Sequence, residues 1–255
     1  MLDKKNDILF FVLVKRDITK EKRIDKMKTD FIKVASHQLR TPLSAMRWHL
    51  EIFLSNDVKN LNEEQSELVK KIYKSNKRII SLVNGLINIS KIESGEIPIS
   101  PKVVNINDLI KSVIEEFSDK VSERNMQISL DVSDSLGEVS LDKDLVSDVY
   151  RNMIANSIKY SLDGTDISIK ITQDGDNMLS EISDSGLGIP EKDKENIFKK
   201  FYRGSNAVDT ETDGSGLGLY LAKSVIESSG GKVWFESEQK KGTTFWFTLP
   251  IKGIK

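Results

Sequence analysis

Two glycine-rich stretches, a pair of asparagines and an isolated histidine carry most of the chemistry this 255-residue chain could perform. Asp184-Ser-Gly186-Leu-Gly188-Ile189 follows a run that reads as a β-strand. A carboxylate at a strand end can accept a hydrogen bond from an exocyclic amine such as that of adenine, and glycines let backbone and ligand approach closely. Gly214-Ser-Gly216-Leu217-Gly218-Leu219 stands directly before a helical pattern, where free N–H groups point at an anion such as phosphate. Either stretch alone is weak evidence, because a loop glycine is more often a turn residue than a phosphate cradle. The Gly-Lys-Ser/Thr of a Walker loop is absent, and without a surrounding βαβ unit a dinucleotide fold is disfavoured. Asn152 and Asn156 stand four apart on one predicted helix, with Lys159 one turn further, so the three share a face. An amide oxygen can ligate Mg²⁺, and a lysine can meet phosphate as a point charge. The plainer alternative is a solvated polar face.

His37, one of only two histidines, lies in Phe31-Ile-Lys-Val-Ala-Ser-His37-Gln38-Leu-Arg40-Thr41-Pro42-Leu43. A neutral imidazole presents one unprotonated nitrogen as a nucleophile, and the partner of the other nitrogen sets the tautomer. Thr41 falls one turn later on the same helix face, and Pro42 removes one helix hydrogen bond and bends the helix. His49 reads as a surface residue, and Trp48, Trp234 and Trp246 as packing.

The elements that must position these groups follow from the hydrophobic pattern. Ile24, Met27, Phe31, Val34, Ala35, Met46, Leu50 and Phe53 predict a helix over about 19–55, and Leu68, Ile72, Ile79, Leu82, Val83, Leu86 and Ile89 a second over about 62–94. Ser94-Gly95 stops the second helix, and Pro98 and Pro101 mark a linker over 96–103. One hairpin cannot cover both apolar stripes, whereas two make a four-helix bundle, so a homodimer through the hairpin is expected. Residues 8–16 read as one strand, which needs a partner. Beyond 104 the pattern predicts helices over 107–122, 144–161, 194–201 and 217–228, and strands over 126–132, 167–171, 178–182, 232–236 and 243–249. Such a mixture makes an α+β sandwich rather than an alternating βαβ fold. Lys plus Arg number 38 against 39 Asp plus Glu, which argues against nucleic acid or a polybasic membrane contact. There is no cysteine, hence no disulfide or thiolate metal site. No apolar run approaches the roughly 20 residues of a membrane span, so the chain reads as cytoplasmic, alone or as the cytoplasmic piece of a membrane protein.

Taken in order, Ser36-His37-Gln38-Leu-Arg40-Thr41-Pro42-Leu43, Asn152-Met-Ile-Ala-Asn156-Ser-Ile-Lys159-Tyr160, Asp184-Ser-Gly186-Leu-Gly188-Ile189, Ile197-Phe-Lys-Lys-Phe-Tyr-Arg203 and Gly214-Ser-Gly216-Leu217-Gly218-Leu219 resemble the H, N, G1, F and G2 boxes of sensor histidine kinases. The resemblance spans about residues 20–250. It implies a dimeric helical hairpin over 19–95 and a Bergerat-type ATP-binding sandwich over 104–252, with residues 1–18 similar to the last strand of a PAS-like sensor. It further implies ATP and Mg²⁺ as cofactors and the receiver domain of a response regulator as partner. Under it His37 is the phospho-acceptor, with Gln38, Arg40 and Thr41 beside it in the catalytic group. Asn156 holds Mg²⁺ with Asn152 next to it, and Lys159 and Tyr160 face phosphates and nucleoside. Asp184 reads the adenine amine in a pocket shaped by Gly186, Gly188 and Ile189. Gly214, Gly216, Leu217, Gly218 and Leu219 form the phosphate-side loop, and Arg203 reaches the γ-phosphate from a lid over 190–213. Thr41 matches the position that helps place a dephosphorylating water, which would add a phosphatase activity toward the regulator.

One residue departs from the family pattern: an acidic residue usually follows the histidine, and here it is Gln38. A glutamine oxygen can accept the imidazole N–H and hold the tautomer, but it cannot act as a base. The alternatives are therefore a weakened kinase serving as scaffold or phosphatase, which Gln38 alone supports, and another Bergerat-fold ATPase, which the histidine motif on a hairpin disfavours. General-base help is typically worth about 10²–10⁴-fold. Gln38→Glu is expected to raise the initial rate of ³²P incorporation from ATP; a lower rate in the variant contradicts this account of Gln38.

Overall fold

The computed structural model describes residues 17, 19–55, 61–93, 99–206 and 215–252, without the side chains of 19–26, 28–31, 33, 37, 89 and 91–93. The strand expected over 8–16, Ser94-Gly95, Pro98 and Gly214 lie outside the described residues. Helix α1 (Thr19–Leu54) carries Pro42 in its interior, and α2 (Glu63–Glu93) returns against it. Asn62 and Gln65 start α2 with a reciprocal cap: Gln65 N donates to Asn62 Oδ1 (2.8 Å) and Asn62 N to Gln65 Oε1 (3.0 Å). Arg40 Nη2 donates to Asn84 Oδ1 (2.9 Å) and Tyr73 OH to Glu51 Oε1 (3.0 Å), pairings that fix the two helices as antiparallel. Ser36 and Leu50 on α1 and Asn76, Val83 and Ser90 on α2 are buried. A second stripe stays open: Leu39, Met46 and Phe53, seven apart on α1, are about half exposed, as are Leu68, Ile72 and Ile79 on α2. No helix among the described residues is long and apolar enough to cross a membrane.

The remainder is a layered α/β unit. Its elements are β1 (Lys102–Val104), α3 (Ile106–Glu115), α4 (Ser118–Glu123), β2 (Gln127–Val132), β3 (Val139–Leu141), α5 (Lys143–Tyr160), β4 (Asp166–Asp174), β5 (Asn177–Asp184), α6 (Gly218–Ser228), β6 (Val233–Glu238) and β7 (Gly242–Pro250). Five strands form one sheet in the order β2-β4-β5-β7-β6, with β2 parallel to β4 and the other pairs antiparallel. Alternation along the strands sends Ile167, Ile169, Ile171, Met178, Ile182, Phe245, Phe247 and Leu249 into one core with Ile110, Val149, Met153, Ile154 and Ile226 of α3, α5 and α6. Trp234 and Trp246, opposite each other on β6 and β7, stack with ring planes 10° apart.

Helix α5 carries the asparagine pair and is tied at both ends. Asp142 caps its start, its Oδ1 accepting from Asp144 N and Leu145 N (both 3.1 Å) and its Oδ2 from Ser100 N (2.9 Å). Arg124 closes its end, donating to the carbonyls of Ile158 and Ser161 and pairing with Asp163.

Four sequence expectations need correction. The helix expected over 107–122 is two helices, α3 and α4, because the backbone opens at Phe117 (φ −106°, ψ 2°), whose ring is buried in the core. No helix forms over Lys194–Phe201. Successive turns run there instead, with Asn196 N donating to Asp193 O and Lys199 N to Asn196 O, and Phe201 at φ 62° cannot continue a helix. Strands β1 and β3 pair with each other; at three residues each they leave no alternation to read, and β1 occupies residues read as linker. Strands β4, β5 and β7 run one to three residues further at both ends than their patterns suggest, β6 starts one residue later and ends two later, and β2 starts one residue later, and Gly175 at φ 58° makes the two-residue β4–β5 turn.

Tyr150 is the largest fully buried side chain of α5 and shares a hydrogen bond with the buried Ser180 Oγ of β5. Burial pushes its phenol pKa far up. Tyr150→Phe leaves Ser180 without this partner and is expected to cost roughly 1–3 kcal/mol. Urea unfolding checks it: a midpoint equal to that of the wild type contradicts it.

Candidate functional site

The ends of α5 and β5, the loop after β5, the start of α6 and residues 202–206 enclose a cavity of about 310 Å³, within the range of small-molecule sites. Asn152, Asn156, Lys159, Tyr160, Asp184, Gly188, Ile189, Arg203, Gly216, Gly218 and Leu219 all line it. These residues come from separate motifs and converge because β5 ends beside the last turns of α5: Leu187 N donates to Tyr160 O (2.9 Å), and Ser161 bridges to Gly186.

Asp184 is the half-buried acceptor of the site. Its Oδ1 accepts from Gly186 N (3.0 Å) and Thr243 N (3.2 Å), and its Oδ2 from Ser157 Oγ (3.3 Å). A carboxylate offers about four acceptor positions, so one remains for a ligand in the cavity. Burial raises the Asp184 pKa above the usual carboxylate range, against those three hydrogen bonds.

The loops beside it depend on glycine. Gly188 has φ 62°, and a Cβ there would stand 2.0 Å from Glu238 O. The neighbouring backbone is held to the β6–β7 hairpin, Ile189 N donating to Ser237 Oγ (2.8 Å) and Lys240 N to Leu187 O (2.7 Å). Gly216 has φ 67° and packs on the backbone of Phe201 and Tyr202. Helix α6 then begins with no side-chain cap, leaving its first N–H groups free to meet an anion. Lys159 Nζ lies 5.4 Å from the Tyr160 ring centre.

Two expected binding residues do not line the cavity. Gly186 sits behind Asp184, where a Cβ would stand 2.4 Å from Tyr160 O. Leu217 is buried against the hairpin, its Cδ1 only 2.8 Å from where a Cβ on Gly85 of α2 would be. Gln38, Arg40 and Thr41 lie on α1 and do not line the cavity either, and the side chain of His37, on the same helix, is outside the described ones. Arg40 lines a wider groove of about 780 Å³ between the hairpin and α5–α6, and Ser81, Asn152, Ser215 and Gly218 line both spaces.

Sequence reasoning missed Ser157, Thr243, Phe245, Tyr202, Ser215 and Ser81. Ser157 was visible only as the neighbour of Asn156. Thr243 reaches Asp184 because the two are cross-strand partners on β7 and β5, a register that no local pattern carries.

Because the folded-state pKa of Asp184 lies above the unfolded value of about 3.9, folding favours its protonated form. That contribution is complete below about pH 4 and is lost as pH rises through the raised value. Asp184→Asn keeps an oxygen for both backbone N–H groups and turns an amide N–H toward Ser157 Oγ. It is expected to melt at or above the wild-type temperature at pH 7, the wild type gaining on it as pH falls. Thermal melts across pH check this, and a variant melting well below wild type at pH 7 contradicts it.

Two family models match the chain: His Kinase A (phospho-acceptor) domain over residues 27–95, and histidine kinase-, DNA gyrase B-, and HSP90-like ATPase over 141–253. Sensor histidine kinase WalK of Bacillus subtilis (strain 168) is 32% identical over 238 residues, covering 92% of this chain and 39% of that protein. Alginate biosynthesis sensor protein KinB of Pseudomonas aeruginosa is 28% identical over 240 residues, 94% of this chain and 40% of that protein. The chain thus spans about two-fifths of the length of these curated relatives. Among solved structures, full-length ShkA in complex with AMPPNP superposes with a TM-score of 0.73 at 25% identity, over 88% of this chain and 46% of that one. The catalytic domain of histidine kinase ThkA superposes with a TM-score of 0.53 at 28% identity, over 60% of this chain and 97% of that one.

Proposed function

This chain belongs to the sensor histidine kinases of two-component systems, and on that premise we propose that it transfers the γ-phosphoryl group of ATP to His37 and passes it to an aspartate of a response-regulator receiver domain. The observation that carries this reading is the single cavity that gathers Asp184, the Asn152–Asn156–Lys159 face and both glycine loops. Asp184 keeps one acceptor position for the adenine amine. Lys159, Arg203 and the uncapped start of α6 supply positive charge and N–H donors for phosphates.

The amide oxygens of Asn152 and Asn156 in the cavity wall are hard donors of the kind Mg²⁺ takes alongside phosphate and water. Asn156 would hold the ion, with Asn152, anchored through Nδ2 to Asp148 O (2.8 Å), beside it. When bound, Mg²⁺ supplies neutralisation of phosphate charge. The chain's own part is positioning and electrostatic stabilisation, as in other phosphoryl transfers. In the transfer an unprotonated His37 nitrogen bonds to the γ-phosphorus, the bond to the β–γ bridging oxygen breaks, and ADP leaves with that electron pair. Gln38 holds the other ring nitrogen through its N–H and leaves the proton to solvent.

The uncovered stripe of Leu39, Met46, Phe53, Leu68, Ile72 and Ile79 supports a homodimer, in which a second hairpin completes a four-helix bundle. The groove shared by Arg40, Asn152 and Ser215 gives the route between the cavity and the His37 helix.

Incubation with [γ-³²P]ATP and Mg²⁺ is expected to label the wild-type chain with an acid-labile, base-stable phosphate. His37→Ala should abolish the label while retaining ATP binding. Asn156→Ala and Asp184→Asn should lower ATP affinity by about 10–100-fold, the scale of a charge-assisted hydrogen bond. Label that persists in His37→Ala would sink the proposal.

A further inference from the structure

Asp193 is buried at 4% exposure, yet it does not line the cavity. It sits in the 3₁₀ turn Glu191–Asp193, its N–H bonded to Pro190 O (2.9 Å) and its carbonyl accepting from Asn196 N (2.9 Å). Its carboxylate reaches forward in the chain to residues 202–205, of which 202–204 have no regular structure. Tyr202 OH donates to Oδ1 (2.6 Å), and Ser205 N and Ser205 Oγ both donate to Oδ2 (2.8 Å each). The hydrogen bond from Tyr202, foremost, holds the Asp193 carboxyl below the usual carboxylate range. One residue past Ser205, Asn206 Nδ2 donates to Gly188 O (2.7 Å), on the loop beside Asp184. Residues 202–206 are therefore a strap pinned at two points, and the part around those pins, Tyr202, Arg203 and Gly204, lines the cavity.

We propose that Asp193 is a positioning residue for the nucleotide: its carboxylate clasps Tyr202 and Ser205 and so holds Arg203 on the phosphate side of the cavity before ATP arrives. The proposal rests on the reading of the cavity as an ATP site. Three features carry it. A buried carboxylate is tolerated only when its oxygens are hydrogen-bonded, and here all three donors come from the strap. Residues 202–204 carry no regular secondary structure, so side-chain bonds decide their path. Ordering the strap in advance removes that cost from binding. Asn206 extends the clasp to the Gly188 loop, which makes the strap and the adenine side of the pocket one unit.

Asparagine at 193 has one acceptor oxygen for three donors, and its NH₂ would face either Tyr202 OH or the Ser205 pair. The test is calorimetric titration of the full 255-residue chain with MgATP. Asp193→Asn is expected to raise Kd roughly ten-fold, the size of one charge-assisted hydrogen bond. Tyr202→Phe leaves both Ser205 donors on the carboxylate and is expected to raise it by less, about three-fold. In initial-rate assays the loss should fall on the KM for ATP, with kcat of Asp193→Asn within about two-fold of wild type. Because Asp193 acts through Arg203, Asp193→Asn should add little to Arg203→Ala. Unchanged Kd in both Asp193→Asn and Tyr202→Phe overturns the proposal, as does an Asp193→Asn effect equally large in the Arg203→Ala background. Failure of the wild-type chain itself to bind MgATP overturns the ATP reading and this proposal together.

Discussion

The half-buried carboxylate of Asp184, with its three hydrogen bonds, is the constraint to which the catalytic half of this chain is built. Three donors from three elements meet on it: Ser157 from α5, Gly186 from the loop after β5 and Thr243 from β7. Each draws its element to one point, and together they leave one acceptor facing the cavity. A charge taken this far from water is costly unless it is surrounded by donors, so the site holds only if α5, β5 and β7 keep their mutual register. That register in turn rests on the core beneath it, where Tyr150 and Ser180 bond between α5 and β5 and Phe247 packs edge-on against Tyr150 at 5.2 Å.

The glycines follow from the same constraint. With Asp184 fixed, the chain must leave β5 between the end of α5 and the β6–β7 hairpin, where Gly186 and Gly188 lie against backbone that a Cβ would strike. The second glycine loop meets a different limit, folding under the backbone of Phe201 and Tyr202. The first loop is also fastened by a residue distant in the chain, Ser237, whose Oγ accepts from Ile189 N.

The hairpin meets this unit at few points. Leu217, inside the glycine loop that opens α6, seats on Gly85, a residue unfavourable in mid-helix by about 1 kcal/mol relative to alanine and explained by that close approach. The loop of one domain therefore shares its position with a helix of the other, and the groove beside the contact runs from Asn152 to Arg40. Motion of α2 against α6 would be felt at the cavity wall without passing through any ligand.

The sequence by itself determined what depends on neighbours in the chain. Apolar residues at steps of three and four set α1, α2, α5 and α6 within two residues of their ends, alternation marked the long strands, and Gly175 marked their tightest turn. The motifs, through the family they resemble, pointed to eleven residues that line the cavity. Tertiary structure decided what depends on pairs far apart. The parallel pairing of β2 with β4 and the short β1–β3 ribbon have no local signature. Phe117 broke a helix to reach the core, and Phe201 ended a run of turns that composition made look helical. Ser157 and Thr243 became supports of Asp184 through burial and register, and Asp193 became the anchor of the strap because the chain doubles back on it within twelve residues. Local backbone preference is written residue by residue, whereas a buried charge finds its partners only once the layers have closed around it.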